Sequence, residues 1–236
     1  MNDSSIKPQV YKDPRPAEFF EPFHRRARRA RGYGAIYFIV RFLLTPITFG
    51  FYRLKSVGYG NIPTEGATIL ACNHFSQMDH FFAGVRLRRY IQFMAKSQLF
   101  KGPLAFILTH GGVFPVRRGY DDQEAFVTAK TILSKDGLVL IYVEGGRSRT
   151  GELGEPKRGI GKVALDSGAP VVPVAIRSAG VRNWKKFSFP RVEVSYGEPI
   201  TFAPVENSSR EQQDEVAREV FDRVRNLYVA LGSQSE

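Results

Sequence analysis

Residues 67–79 read Ala-Thr-Ile-Leu-Ala-Cys-Asn73-His74-Phe-Ser-Gln-Met-Asp79. The opening run is apolar, short and without helical spacing, the pattern of a strand buried on both faces. It stops on Asn73-His74, with an Asp five positions beyond the His. Buried strands of this kind belong to α/β sheets, whose reactive side chains gather in loops past the strand ends. Four more runs repeat the pattern: YIQFMA (90–95), LVLIYV (138–143), VVPVAIR (171–177) and RVEVSYG (191–197). Helical stretches lie between them. The one at 121–135 opens with Asp121 and Glu124 in capping-box spacing and is followed by Gly137. The last, about 209–231, opens with Ser209 and Gln212 and is ended by Gly232. The spacing of Val216, Val220, Phe221, Val224, Leu227 and Leu231 gives it one apolar face. The alternation predicts an α/β fold with a central mixed, largely parallel sheet flanked by helices.

Before this region the chain has a different character. Residues 16–32 read as a first helix carrying Arg25, Arg26, Arg28, Arg29 and Arg31, and residues 35–52, AIYFIVRFLLTPITFGFY, as a second. The second stretch is apolar except for Arg41, and it is shorter than the roughly 20 residues a span requires. Pro46 would kink it. A basic cluster beside an apolar helix predicts a segment lying on or dipping into an anionic bilayer, with a single span or a buried core helix as the alternatives. Three parts are expected: N-terminal helices (1–54), an α/β domain (55–205) and a C-terminal helix packed on it (206–236).

Composition narrows the classes further. The 236 residues carry a net charge of +11, and the excess sits in the first half. Residues 1–60 hold eleven Lys/Arg against four Asp/Glu, and residues 61–120 seven against two. Such asymmetry points to an anionic partner. Recognisable nucleic-acid modules are absent from the sequence, so no nucleic acid is expected. The single Cys72 leaves no disulfide framework and no Cys-based zinc site, and the polar start MNDSSIKPQV does not read as a secretory signal. These features imply a reducing compartment.

Three strand-to-loop junctions carry candidate chemistry. At the first, a turn that brings Asp79 back to His74 would occupy one imidazole nitrogen and leave the other as a base for an alcohol. A structural His with a helix-capping Asp would share this spacing. Ser76 lacks a nucleophile-elbow context, and His74, Asp79 and His80 as metal ligands is a minor reading. At the second, LVLIYV runs into Glu144-Gly145-Gly146-Arg147-Ser148, where glycines let backbone N–H groups approach an anion and Arg147 offers a fork to a phosphate. Glu144 would pin that Arg or accept from a substrate hydroxyl. The third comprises Lys96-Ser-Gln-Leu and Phe114-Pro-Val-Arg117, two cations after short apolar runs.

Together these residues resemble the blocks of the glycerolipid acyltransferase family. Asn73-His74 through Asp79 is similar to its NHxxxxD block, and Phe114-Pro-Val-Arg117 to its second. Tyr142-Val-Glu-Gly-Gly-Arg147-Ser is similar to its third, usually F-P-E-G-T-R-S, and Val172-Pro173-Val-Ala-Ile to its fourth. In size and order the chain looks most like the bacterial 1-acyl-sn-glycerol-3-phosphate acyltransferase branch. The resemblance implies His74 as general base oriented by Asp79, with Lys96, Arg117, Glu144, Gly145, Gly146 and Arg147 binding a phosphorylated acceptor. It implies an acyl-CoA or acyl carrier protein donor, a lysophospholipid acceptor (lysophosphatidic acid first, glycerol 3-phosphate, other lysophospholipids or a glycolipid as alternatives), and no metal or cofactor. It also implies work on anionic membrane lipids at the cytoplasmic face, as a peripheral or monotopic protein. Val143 and Gly146 depart from the third block's usual Pro and Thr.

Overall fold

A computed structural model describes residues 12–30, 32, 34–120, 122–148, 152–179 and 190–233. Seven strands form one sheet: β1 (Lys55–Val57), β2 (Thr68–Cys72), β3 (Ile91–Lys96), β4 (Val113–Val116), β5 (Leu138–Tyr142), β6 (Val171–Ala179) and β7 (Arg191–Tyr196). Their order is β1-β7-β6-β2-β5-β3-β4. Only β6 and β7 pair antiparallel; every other neighbour is parallel. The sheet is therefore mixed and largely parallel, with helices on both faces, as expected. The central strand β2 is buried at all five positions, which explains its continuous apolar run.

The helices are α1 (Glu21–Arg29), α2 (Ala35–Gly50), α3 (Asp79–Gly84), α4 (Gly102–His110), α5 (Gln123–Leu133), α6 (Gly159–Ser167) and α7 (Arg210–Ser233). Alternation along the strands divides the core. Ile69, Ala71, Val139 and Ile141 face a cluster shared with α1, α5, α6 and α7. Leu70, Cys72, Leu138 and Leu140 face a second, to which α2 contributes Phe49 and α3 contributes Phe82 and Ala83. The two N-terminal helices thus serve opposite faces of the sheet. α6 and α7 cross so closely at Gly161 that a Cβ there would lie 1.9 Å from the Gln213 carbonyl oxygen.

Several local expectations change. β1 and β4 were not legible as strands: β1 has three residues and β4 carries Pro115, both signs of a sheet edge. The helix α5 is capped one residue after the expected position. Its N-cap is Asp122, whose Oδ2 accepts the Arg117 N–H at 2.6 Å, while Glu124 pairs with Arg28; Asp121 lies outside the described residues. The Ser209–Gln212 box does form, Gln212 Oε1 accepting from the Ser209 N–H at 2.8 Å and Ser209 Oγ from the Gln212 N–H at 3.2 Å. Gly232 lies inside α7, where a Cβ would meet the Arg177 guanidinium at 2.1 Å.

Arg41 does not sit as an unpaired charge in the apolar helix. Its guanidinium donates to the carbonyls of Gly84, Val85 and Leu87 at the C-terminal end of α3. The outer face of α2 is bare: Phe38, Ile39, Phe42 and Leu43 are 52–69% exposed, and Leu104, Phe106 and Ile107 of α4 are exposed as well. No helix among the described residues is long and apolar enough to cross a membrane.

Candidate active site

The site begins one residue past β2. Asn73 is fully buried, and its side chain makes two bonds to one residue of β6: it donates to the Ile176 carbonyl at 2.8 Å and accepts the Ile176 N–H at 2.7 Å. His74 follows on this clamp. Its backbone N–H donates to Glu144 Oε1 at 3.2 Å, and its carbonyl accepts the Ser148 N–H at 2.8 Å. The loop after β2 is thereby tied to the loop after β5.

Asp79 opens α3, and the turn before it swings its carboxylate back. Asp79 Oδ2 lies 2.8 Å from His74 Nδ1 and also accepts the backbone N–H groups of Phe75 and Ser76, each at 2.7 Å. Asp79 is 1% exposed, whereas the His74 side chain is 13% exposed. A carboxylate at Nδ1 assigns the proton to that nitrogen and leaves the Nε2 lone pair for a substrate. Burial is the largest influence on His74 and pushes its pKa below 6.5; Asp79 opposes this, and Arg147 and Arg118 add to it. The imidazole is therefore neutral and basic at pH 7.

Glu144 is 7% exposed. Its second oxygen, Oε2, accepts the Gly154 N–H at 3.0 Å. Both oxygens are thus held by backbone N–H groups, so Glu144 is a strut between loops. Burial pushes its pKa up, against those two backbone bonds. Gly145 takes a left-handed conformation (φ 63°) at the turn that bonds its N–H to the Tyr142 carbonyl, and a Cβ there would press on Lys157. Gly146 is half-buried and Arg147 exposed beside it. Arg149 lies outside the described residues.

The two second-block cations separate. Arg117 donates to the Arg15 carbonyl at 3.0 Å, lies over the Tyr120 ring at 4.2 Å, and is turned to the N-terminal segment. Arg118 instead reaches the site: its charge acts on His74, and it is itself depressed by burial and by Arg147. The alternation of β4, a strand that only the structure reveals, accords with the split. Arg118 continues the face of Phe114 and Val116; Arg117 continues the face of Val113, which belongs to the cluster of Phe20 and Phe100. Lys96 is exposed at the end of β3.

Beyond β3–β5 a cavity of about 240 Å³ is bounded by Arg118, Lys157, Gly145 and Tyr142 at its polar end and by Met94 and Phe126 at its apolar end. Lys157 was not among the expected site residues. A smaller apolar cavity, about 100 Å³, lies between α2, α3 and α4 and is bordered by His80, Phe93 and Ile107. Among the described residues no three His, Cys, Asp or Glu side chains are grouped to hold a metal ion.

Residues 53–177, slightly more than half of the chain, match the family model described as Acyltransferase. The chain belongs to the acyltransferase family. Among its relatives are a chloroplastic 1-acyl-sn-glycerol-3-phosphate acyltransferase of Arabidopsis thaliana, 26% identical over 68% of this chain and 44% of that protein. The 1-acyl-sn-glycerol-3-phosphate acyltransferase of Bacillus subtilis is 28% identical over 71% of this chain and 84% of its own length. The chain thus spans less than half of the plant relative and most of the bacterial one. The crystal structure of the 1-acyl-sn-glycerophosphate acyltransferase from Thermotoga maritima shares the acyltransferase fold: TM-score 0.55, 22% identity, 89% of this chain and 88% of that one covered.

Proposed function

We propose that this acyltransferase moves a fatty acyl group from an acyl thioester, on coenzyme A or acyl carrier protein, to the sn-2 hydroxyl of lysophosphatidic acid, giving phosphatidic acid. The observation that carries the reading is His74, bonded at Nδ1 to the buried Asp79 at 2.8 Å and flanked by Arg118 and Arg147. His74 Nε2 takes the hydroxyl proton as the oxygen attacks the thioester carbonyl. Asp79 stabilises the imidazolium that forms. The tetrahedral adduct then collapses, the C–S bond breaks, and the departing thiolate recovers the proton from His74. A hydroxyl nucleophile on the protein is not required, so Ser76 has no chemical part.

The acceptor phosphate would lie among Arg118, Arg147 and Lys157, with Lys96 at the rim. The bare apolar face of α2, extended by α4, supports peripheral contact with lipid, and the exposed Arg25, Arg26 and Arg29 supply charge for anionic head groups. At 16 residues α2 is about 24 Å long, short of a bilayer's hydrocarbon core. We assign the work to the cytoplasmic face, where acyl thioesters are available.

Incubating purified protein with acyl-CoA or acyl carrier protein and a panel of acceptors, with products identified by mass, tests the reading. Phosphatidic acid from lysophosphatidic acid is expected. Exclusive acylation of glycerol 3-phosphate or of an uncharged glycolipid would replace the acceptor.

A further inference from the structure

Tyr142 is the last residue of β5 and pairs in register with Cys72 of β2, two residues before His74. Register therefore carries its ring beneath the imidazole. The two rings stack with centroids 3.7 Å apart and planes 14° from parallel. Asp79 holds one edge of the imidazole, but a single hydrogen bond at Nδ1 leaves the ring free to pivot about that bond. Tyr142 covers one face and closes off that pivot. The Tyr142 hydroxyl is buried, with no well-formed hydrogen bond among the described residues and only the His80 backbone N–H beside it. Burial pushes its pKa well above the usual 10, so it stays neutral.

We infer that Tyr142 is a positioning residue that acts through its ring: it fixes the His74 plane so that Nε2 points at the acceptor hydroxyl, while its own hydroxyl contributes nothing to the transfer. This rests on His74 being the base. It adds a support for that base that the expected site residues did not include. The groups facing His74 are Asp79 and His80 from α3, Glu144 and Arg147 from the loop after β5, and Arg118 from the end of β4.

The test compares Tyr142→Phe with Tyr142→Leu in the full chain. Two readouts are taken: steady-state transfer, and NMR titration of histidine-labelled protein following the His74 ring. Tyr142→Phe should keep kcat within about 3-fold and keep the His74 titration, because the stack survives. Tyr142→Leu should lose roughly 10- to 100-fold in kcat with acceptor KM little changed, the scale of a small misplacement of a catalytic group. Its His74 should titrate at higher pH, since burial that now depresses the imidazole is relieved. If Tyr142→Leu does not fold, Tyr142→Met takes the same arm.

Wild-type turnover by Tyr142→Leu, or a fall in Tyr142→Phe equal to that in Tyr142→Leu, would overturn the inference. The second result would move the role to the hydroxyl. The NMR arm reads the stack whether or not acyl transfer occurs, so a failure of the stack and a failure of the acyltransferase reading are told apart.

Discussion

The cations of the N-terminal region and those around His74 are put to opposite uses. Arg15 is bound to Asp13 and to the Phe100 and Ser97 carbonyls; Arg28 to Glu21 and Glu124; Arg41 to the end of α3; Arg89 to the Pro63, Gly66 and Asp136 carbonyls. These charges fasten one part of the backbone to another. Arg118 and Arg147 instead bear on His74, and Arg147 also depresses Arg118. Like charges gathered at a basic histidine make a place for an anion. Part of the positive excess of the first half thus fastens the fold, while Arg25, Arg26 and Arg29 are left exposed. Arg31 lies outside the described residues.

The contrast is broken most severely at its centre. His74→Ala should cost about 10²- to 10⁴-fold in transfer, the usual contribution of a general base, while liposome binding is unchanged. Retained turnover would end the proposed mechanism. Next comes the adjacent pair Arg117 and Arg118. Arg118→Ala should lower kcat/KM for a phosphorylated acceptor by about 10- to 100-fold, as for a lost hydrogen bond to a charged group. Because Arg118 holds the His74 pKa down, its removal should also shift the acid limb of the kcat/KM profile to higher pH. Arg117→Ala should leave that limb in place and show itself as a lower melting temperature. Equal kinetic effects from the two variants would erase the distinction.

Fasteners give smaller effects, read as stability. Arg41→Ala strips the hydrogen bonds from three carbonyls at the end of α3 and should cost about 1–3 kcal/mol in denaturant unfolding. Acid should erode stability too. His24, His74 and His80 are all pushed below 6.5, chiefly by burial, His80 to about 3. Below pH 6.5 the unfolded chain binds protons that the folded one refuses, so stability present above 6.5 is lost as pH falls. His80 alone should account for about 2 kcal/mol between pH 6.5 and 5, and His80→Leu should flatten that part of the slope. Arg28→Ala breaks partly exposed pairs and should cost only about 0.2–1 kcal/mol.

Sequence alone carried the frame a long way, and its limits are physical. The five long strands announce themselves through continuous apolar runs where both faces are buried, as in β2, or through period-two alternation, as in β7. His74 and Asp79 are legible because a strand end fixes one and a turn of five residues is short enough to return the other. The strut made by Glu144 was not legible because nothing local reveals that Gly154, ten residues on, and His74, seventy residues back, would each bond one of its oxygens. Arg117 was preferred to Arg118 on the motif's spacing, because β4, whose alternation through Phe114 and Val116 leads towards Arg118, is too short to read as a strand. Arg41 looked like a penalty to membrane insertion because its partners on α3 lie more than forty residues away.

Asn73 has a consequence for motion. Because its amide both donates to and accepts from Ile176, it behaves as one more rung of the sheet, added in side-chain atoms after the backbone ladder has ended. The base that follows is carried by the lattice of the strands and shares their small amplitude of vibration. Downstream, Asp79 takes over, holding the Phe75 and Ser76 N–H groups, so the proton acceptor is fixed from both sides.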